Sequence, residues 1–226
     1  MLGLGLGLKQ CQRQLPIHKR RDHQVTDTAS APSSMTFATG SDSVPAEILA
    51  VQDRARCLYT ETEVEQAIAK MATAMTAKLA ECNPLLLCVL TGASLVTEKL
   101  KAQLNFPWQL DNLRATRYRE ATSGGEIEWR QYPSQDLKNR VVVIIDDILD
   151  EGATLSSIVE YCKQQHCQRV YTAVLVNKIH NRKSSPIKAD FIGLDAEDFY
   201  LFGYGMDYKG FLRDAPGIYA VAPEDL

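Results

Sequence analysis

The chain has 226 residues, 45% of them hydrophobic and 23% charged, with a net charge of −3. That length suits one sizeable α/β domain with residues to spare, in an ordinary soluble composition. The charge balance argues against nucleic acid or an anionic membrane as a partner, and no run approaches the roughly 18 apolar residues of a membrane-spanning helix.

Residues 1–44 differ in composition from the rest of the chain. Leucine alternates with glycine from Met1 to Leu8, which weakens helix and strand alike. Lys9, Arg13, Lys19, Arg20 and Arg21 then precede the first acid, Asp22, and Thr26 to Ser43 is rich in Ser, Thr, Ala and Asp. The segment is expected to be a disordered extension. It makes a poor secretory signal, because its charges come after the apolar run. An organelle-targeting peptide or a start upstream of the true one, with Met35 a candidate, both stay open. Residues 45–226 read as the folded domain and carry 20 basic and 25 acidic side chains, a net charge of −5.

From Pro45 the pattern is regular. Ile48, Leu49, Val51 and Ala55 predict a short helix. Thr60-x-x-Glu63 is a capping box ahead of a long helix with Val64, Ala67, Ile68, Met71 and Met75 on one face, ending near Asn83-Pro84. Leu85 to Leu90 predict a buried strand, and Thr91-Gly92-Ala93 leads into a helix to about Leu104. Pro107 to Tyr118 and Ile127 to Gln131 predict two strands around a polar loop containing Ser123-Gly124-Gly125, a composition that signals mobility. Five consecutive β-branched residues, Val141 to Ile145, fit a strand buried on both faces. Asp146 and Asp147 stand at its carboxyl end, then Asp150-Glu-Gly152-Ala-Thr154 and a helix with Leu155, Ile158, Val159 and Cys162 at helical spacing. Val170 to Val176 predict another buried strand and Lys178 to Lys188 a basic excursion. Phe191 to Gly193 and Tyr200 to Tyr208 complete the sheet and a small appendage. Strands alternating with helices argue a parallel-sheet α/β fold.

A strand, a short loop and a helix N-terminus form a phosphate site, since unpaired N–H groups and the positive end of the helix dipole point at the anion. Carboxylates beside a phosphate repel it. Asp146 and Asp147 therefore make sense if the ligand also carries sugar hydroxyls or a metal. Six scattered cysteines without a C-x-x-C read as reduced thiols, and His18, His23, His166 and His180 have no metal-ligand spacing, so no zinc site is expected.

The stretch of four apolar residues, two acids, two apolar residues and D-x-G-x-T resembles the ribose-phosphate motif of the type I phosphoribosyltransferases. With Ala115 to Tyr118, Thr122 to Glu126, Lys188 to Gly193 and Phe202 to Gly210, the chain resembles the bacterial hypoxanthine-guanine phosphoribosyltransferases over roughly residues 46–222. The resemblance implies a Rossmann-like core with a small hood subdomain. It implies purine salvage: hypoxanthine or guanine displaces pyrophosphate from phosphoribosyl pyrophosphate to give the nucleoside monophosphate. The cofactor implied is Mg²⁺, with Asp207 and Asp146 as ligands. Asp146 and Asp147 would accept from the ribose hydroxyls, and Glu151, Gly152, Ala153 and Thr154 would hold the 5′-phosphate. Asp150 would face N7 of the purine as general base. By the same resemblance Tyr200 stacks on the base, Leu201 meets it through its main chain, and Lys178 donates to its 6-oxo group. Thr91, Gly92 and Arg213 would contact pyrophosphate, and Tyr118 would close a mobile loop over the site. A cytoplasmic homodimer or homotetramer is implied.

The chain departs from the family pattern in places. Thr91-Gly92-Ala93 stands where relatives often carry Lys or Asn before glycines, and Ala153 and Asn177 replace commoner residues; the first two positions act mainly through the main chain. Relatives hold the bond equivalent to Leu90–Thr91 in cis, which the sequence does not reveal. The residues alone leave Tyr200 open as a core aromatic, Asp207 as a turn acid and Arg213 as a surface arginine. A transferase preferring xanthine and a non-catalytic RNA-binding regulator on this fold are the rival functions; the second calls for a basic face, and the folded part is acidic. A phosphoaccepting receiver domain also has an acid pair after an apolar strand, but without the Gly-x-Thr loop.

Overall fold

The computed structural model describes residues 44–117 and 127–226. The expectations for residues 1–43, for Tyr118 and for the loop through Glu126 lie outside the described residues. In chain order the elements are α1 (Ala46–Arg54), β1 (Arg56–Thr60), α2 (Glu61–Leu79), β2 (Leu85–Val89), α3 (Ser94–Lys101), β3 (Gln109–Arg117), β4 (Ile127–Gln131), β5 (Val141–Leu149), α4 (Ala153–Gln164), β6 (Arg169–Ile179), β7 (Phe191–Glu197), β8 (Leu201–Phe202) and β9 (Gly217–Ala220), then a 3₁₀ turn at Pro223–Asp225.

Six strands form one sheet in the order β4-β3-β2-β5-β6-β7. β4 runs antiparallel to β3 at one edge, and the remaining pairs are parallel, as the alternation of strands and helices predicts. Leu85–Val89 and Val142–Ile145 are buried throughout, the condition that a continuous apolar run meets only in a sheet covered on both faces. The chain leaves β2 through α3 toward β3, and leaves β5 through α4 toward β6, in opposite directions along the sheet. Right-handed crossovers in opposite directions put α3 and α4 on opposite faces. α2 packs with α3, whereas α4 lies against β3, β5 and β6. The direction of winding therefore reverses between β2 and β5, and a crevice opens beyond their carboxyl ends.

A second sheet, β1-β9-β8, is antiparallel. It forms the hood, with its own apolar cluster of Ile48, Val51, Phe202, Tyr208, Leu212, Ala215 and Val221. Thr60 caps α2 as expected: its Oγ1 accepts from Glu63 N at 3.4 Å, and Glu63 Oε2 accepts from Thr60 N at 2.8 Å.

The structure shortens two predicted helices. α2 stops at Leu79, before the proline, and the chain turns through Asn83 in the left-handed region (φ 43°). α3 stops at Lys101, with single turns carrying the chain on through Leu104. Strand β1 is an element that the sequence pattern does not predict. β7 extends four residues past the expected Gly193.

Candidate active site

The loop after β2 meets the carboxyl end of β5 at the crevice. The peptide bond Leu90–Thr91 is cis. Gly92 lies directly against Asp147, where a Cβ would overlap the carboxylate. Gly205, from the hood, lies against Gly92 in turn: a Cβ on Gly205 would overlap the Gly92 carbonyl. The hood loop, the β2 loop and the acid pair are thus in contact at glycine positions.

Asp146 is buried and Asp147 half-buried, and Asp147 N donates to Asp146 Oδ1 at 3.0 Å. Burial pushes the Asp146 carboxyl well above the usual range, and the neighbouring Asp147 charge adds to the shift. Burial raises Asp147 too, opposed in part by the Arg213 guanidinium. A pair of carboxyls short of counter-charge, made of hard oxygens at a strand end, fits a hard divalent cation or a set of sugar hydroxyls. Asp207 offers the same donor type, but its Oδ1 already pairs with Arg213 Nη2 at 2.7 Å and its Oδ2 accepts from Gly210 N at 2.6 Å. Arg213 also donates to the Gly205 carbonyl, so it ties the hood loop together beside the acids.

Gly152 turns the chain into α4 with φ 89°, a left-handed conformation that favours glycine, and a Cβ there would press on Ile187 at 2.9 Å. The first helical bond runs from Ser156 N to Gly152 O at 2.9 Å. The N–H groups of Ala153, Thr154 and Leu155 precede it, which is the anion-binding geometry of a helix start. Glu151 ties this loop to the excursion after β6: its carbonyl accepts from Ser184 N at 2.9 Å, and its carboxylate pairs with Arg182 Nη1 at 3.2 Å.

Asp150 is the centre of a charged cluster. Lys178, only 6% exposed at the end of β6, places Nζ 3.3 Å from Asp150 Oδ2 and 3.3 Å from Asp198 Oδ1. Arg182 Nη2 lies 3.5 Å from Asp150 Oδ1 and pairs with Asp198, and it is chiefly this guanidinium that holds the Asp198 carboxyl well below the usual range. His180 Nε2 lies 2.7 Å from Asp150 Oδ1. Lys183 Nζ donates to the carbonyls of Leu149 and Asp150 at 3.0 and 2.6 Å, fixing the loop from behind. Donor atoms of Asp150, His180 and Asp198 lie within 4.8 Å of one another, a grouping that histidine spacing in the sequence does not disclose. Lys178 and Arg182 already neutralise both carboxylates, so the cluster is charge-balanced by the protein's own cations.

Tyr200 is 43% exposed just ahead of β8, edge-on to Tyr208 with ring centroids 5.8 Å apart, so it is not the core aromatic its sequence also allowed. Leu201 is buried in β8, paired with Ala220. Sequence reasoning places Lys178 here but misses His180, Arg182, Lys183 and Asp198. The basic composition of the 178–188 excursion is a signal for His180, Arg182 and Lys183, and none points to Asp198.

A family model described as the phosphoribosyl transferase domain matches residues 57–209. A hypoxanthine-guanine phosphoribosyltransferase of Bacillus subtilis is 29% identical over 76% of this chain and 95% of its own length. A hypoxanthine-guanine-xanthine phosphoribosyltransferase of Tritrichomonas foetus is 26% identical over 74% of this chain and 92% of its own length. The crystal structure of a hypoxanthine phosphoribosyltransferase from Staphylococcus aureus superposes with a TM-score of 0.71, covering 75% of this chain and 92% of that one at 24% identity, which bears on the fold alone.

Proposed function

The chain belongs to the phosphoribosyltransferase family, and on that premise we propose that it is a purine salvage enzyme making IMP or GMP from hypoxanthine or guanine and phosphoribosyl pyrophosphate. The observation that carries the reading is the pair Lys178 and Asp150. A cationic donor and a carboxylate acceptor 3.3 Å apart match the edge of a 6-oxopurine, whose O6 accepts and whose N7–H donates. Adenine offers an amino donor where Lys178 needs an acceptor. The exposed ring of Tyr200 suits a stacked base.

In this reading the purine N9 lone pair forms a bond to C1 of the ribose as the bond from C1 to the pyrophosphate oxygen breaks, and the N7 proton passes to Asp150. Asp146 and Asp147 accept from the ribose hydroxyls. The N–H groups from Glu151 to Thr154, with the Thr154 hydroxyl, hold the 5′-phosphate. Thr91, Gly92 and Arg213 face pyrophosphate, and Leu201 meets the base through its main chain. Magnesium held by Asp207 and Asp146 would offset the charge on the departing pyrophosphate. Arg213 must then share Asp207 or turn to the pyrophosphate itself. Tyr118, as the residue that closes the site against water, enters only through the family resemblance.

The same reading takes residues 45–226 as the catalytic domain and 1–44 as an extension not needed for it. It takes the protein as a cytoplasmic dimer or tetramer with no nucleic-acid or membrane partner; no helix among the described residues is long and apolar enough to cross a membrane. The test is hypoxanthine labelled in the base, incubated with phosphoribosyl pyrophosphate and Mg²⁺, with and without excess chelator. Labelled IMP that disappears with chelator is expected, and no nucleotide with Mg²⁺ present overturns the reading.

A further inference from the structure

His180 stands one residue past β6, its side chain 4% exposed. Its two ring nitrogens have different partners. Nδ1 accepts the backbone N–H of Arg182 at 3.0 Å. A nitrogen that accepts from an N–H carries a lone pair, so in the neutral ring the proton sits on Nε2. Nε2 lies 2.7 Å from Asp150 Oδ1. We propose that His180 is a positioning residue for Asp150, donating Nε2–H to the carboxylate from one fixed tautomer.

The geometry explains what such a contact supplies. The Asp150 side chain is 41% exposed, and a half-exposed carboxylate can turn about its Cβ–Cγ bond. His180 on Oδ1 and Lys178 on Oδ2 fix the plane of the group and leave Oδ2 as the oxygen beside the base-reading lysine. The cluster already holds the full charges of Lys178, Arg182 and Lys183 against Asp150, Glu151 and Asp198. A neutral N–H orients the carboxylate while drawing off less of its basicity than another cation would. The lock also ties the excursion to the site, since the same ring closes the 180–182 turn through Nδ1.

The inference rests on Asp150 as the base of the proposed reaction, but part of its test does not. In the full-length protein, ¹⁵N-resolved spectra of the His180 ring should show Nε2 protonated and Nδ1 bare. The Nδ1–H tautomer overturns the proposal whether or not the protein makes nucleotides. Two variants then separate positioning from turn closure. His180→Asn keeps an acceptor near the Arg182 N–H but cannot reach Asp150, whereas His180→Gln extends an amide N–H toward it. His180→Asn should lose about tenfold to a hundredfold in kcat, with Tm and the KM for phosphoribosyl pyrophosphate unchanged. His180→Gln should recover much of that loss. Wild-type kcat in His180→Asn, or equal loss in both variants with a fallen Tm, contradicts the positioning role. A wild-type protein that forms no nucleotide would instead defeat the enzymatic reading and leave the tautomer measurement to decide the contact.

Discussion

Gly92 packs against the carboxylate of Asp147 with no room for a Cβ between them. The residue's backbone does not demand glycine, because its φ lies outside the left-handed region; the neighbour demands it. The obstructing atoms end a side chain that can rotate away. Gly92→Ala should therefore leave Tm within about 2 °C of wild type, while turning Asp147 out of place and raising the KM for phosphoribosyl pyrophosphate about tenfold or more. Thermal melts and steady-state kinetics on one preparation check both halves; an unchanged KM would detach Asp147 from the sugar-phosphate site.

Gly205 makes the opposite case. Its φ is 105°, and the atom a Cβ would meet is the Gly92 carbonyl, part of the backbone. Neither strain nor overlap can be relieved by a side-chain rotation. Gly205→Ala should cost at least about 1 kcal/mol and lower Tm by about 2–4 °C or more, because the hood loop must lift from the β2 loop. A melting temperature equal to wild type would show that this contact is loose.

Lys178→Ala should reduce kcat/KM for hypoxanthine and guanine by about 1.5–3 kcal/mol, or roughly tenfold to a hundredfold, the worth of a lost charge-assisted hydrogen bond. Arg182 still pairs with Asp150 and Asp198, so the fold should survive the change. Kinetics unchanged from wild type for both bases would put the excursion outside the base site.

The Asp198 carboxyl is held down chiefly by Arg182 and then by Lys178. A lowered folded pKa adds stability above the unfolded value, about 3.9, and that stability is lost as pH falls below it. Asp198→Asn should thus lower Tm by a constant amount at neutral pH and by less below about pH 4. The group is partly exposed, so the effect should be modest and should shrink in high salt. A difference that grows toward acid pH would have the wrong sign.

The central strand and its loop are legible in the sequence because every signal there is local. Val141 to Ile145 carry the burial pattern, and the acids and Gly152 stand in fixed register ahead of the helix. Strand β1 is not legible, because Arg56–Thr60 has little apolar alternation and pairs only with β9 at the far end of the chain. His180 is hidden for the same reason: its partner Asp150 is 30 residues away, and spacing rules see only neighbours. The cis bond at Leu90–Thr91 has no proline to announce it. The expectation that Asp207 binds a metal rests on resemblance alone, and its contact with Arg213 depends on a hood loop whose path no local pattern fixes.

On the proposed function, Lys178 and Asp150 read the O6 and N7–H edge of a purine, and a comparison of bases tests that most directly. With phosphoribosyl pyrophosphate and Mg²⁺, kcat/KM should be measured for hypoxanthine, guanine and adenine on the wild-type protein. The expected products are IMP and GMP, with adenine used at least about a hundredfold less well, the cost of setting a donor against the buried Lys178 donor. Adenine used as well as hypoxanthine would contradict this assignment of the site.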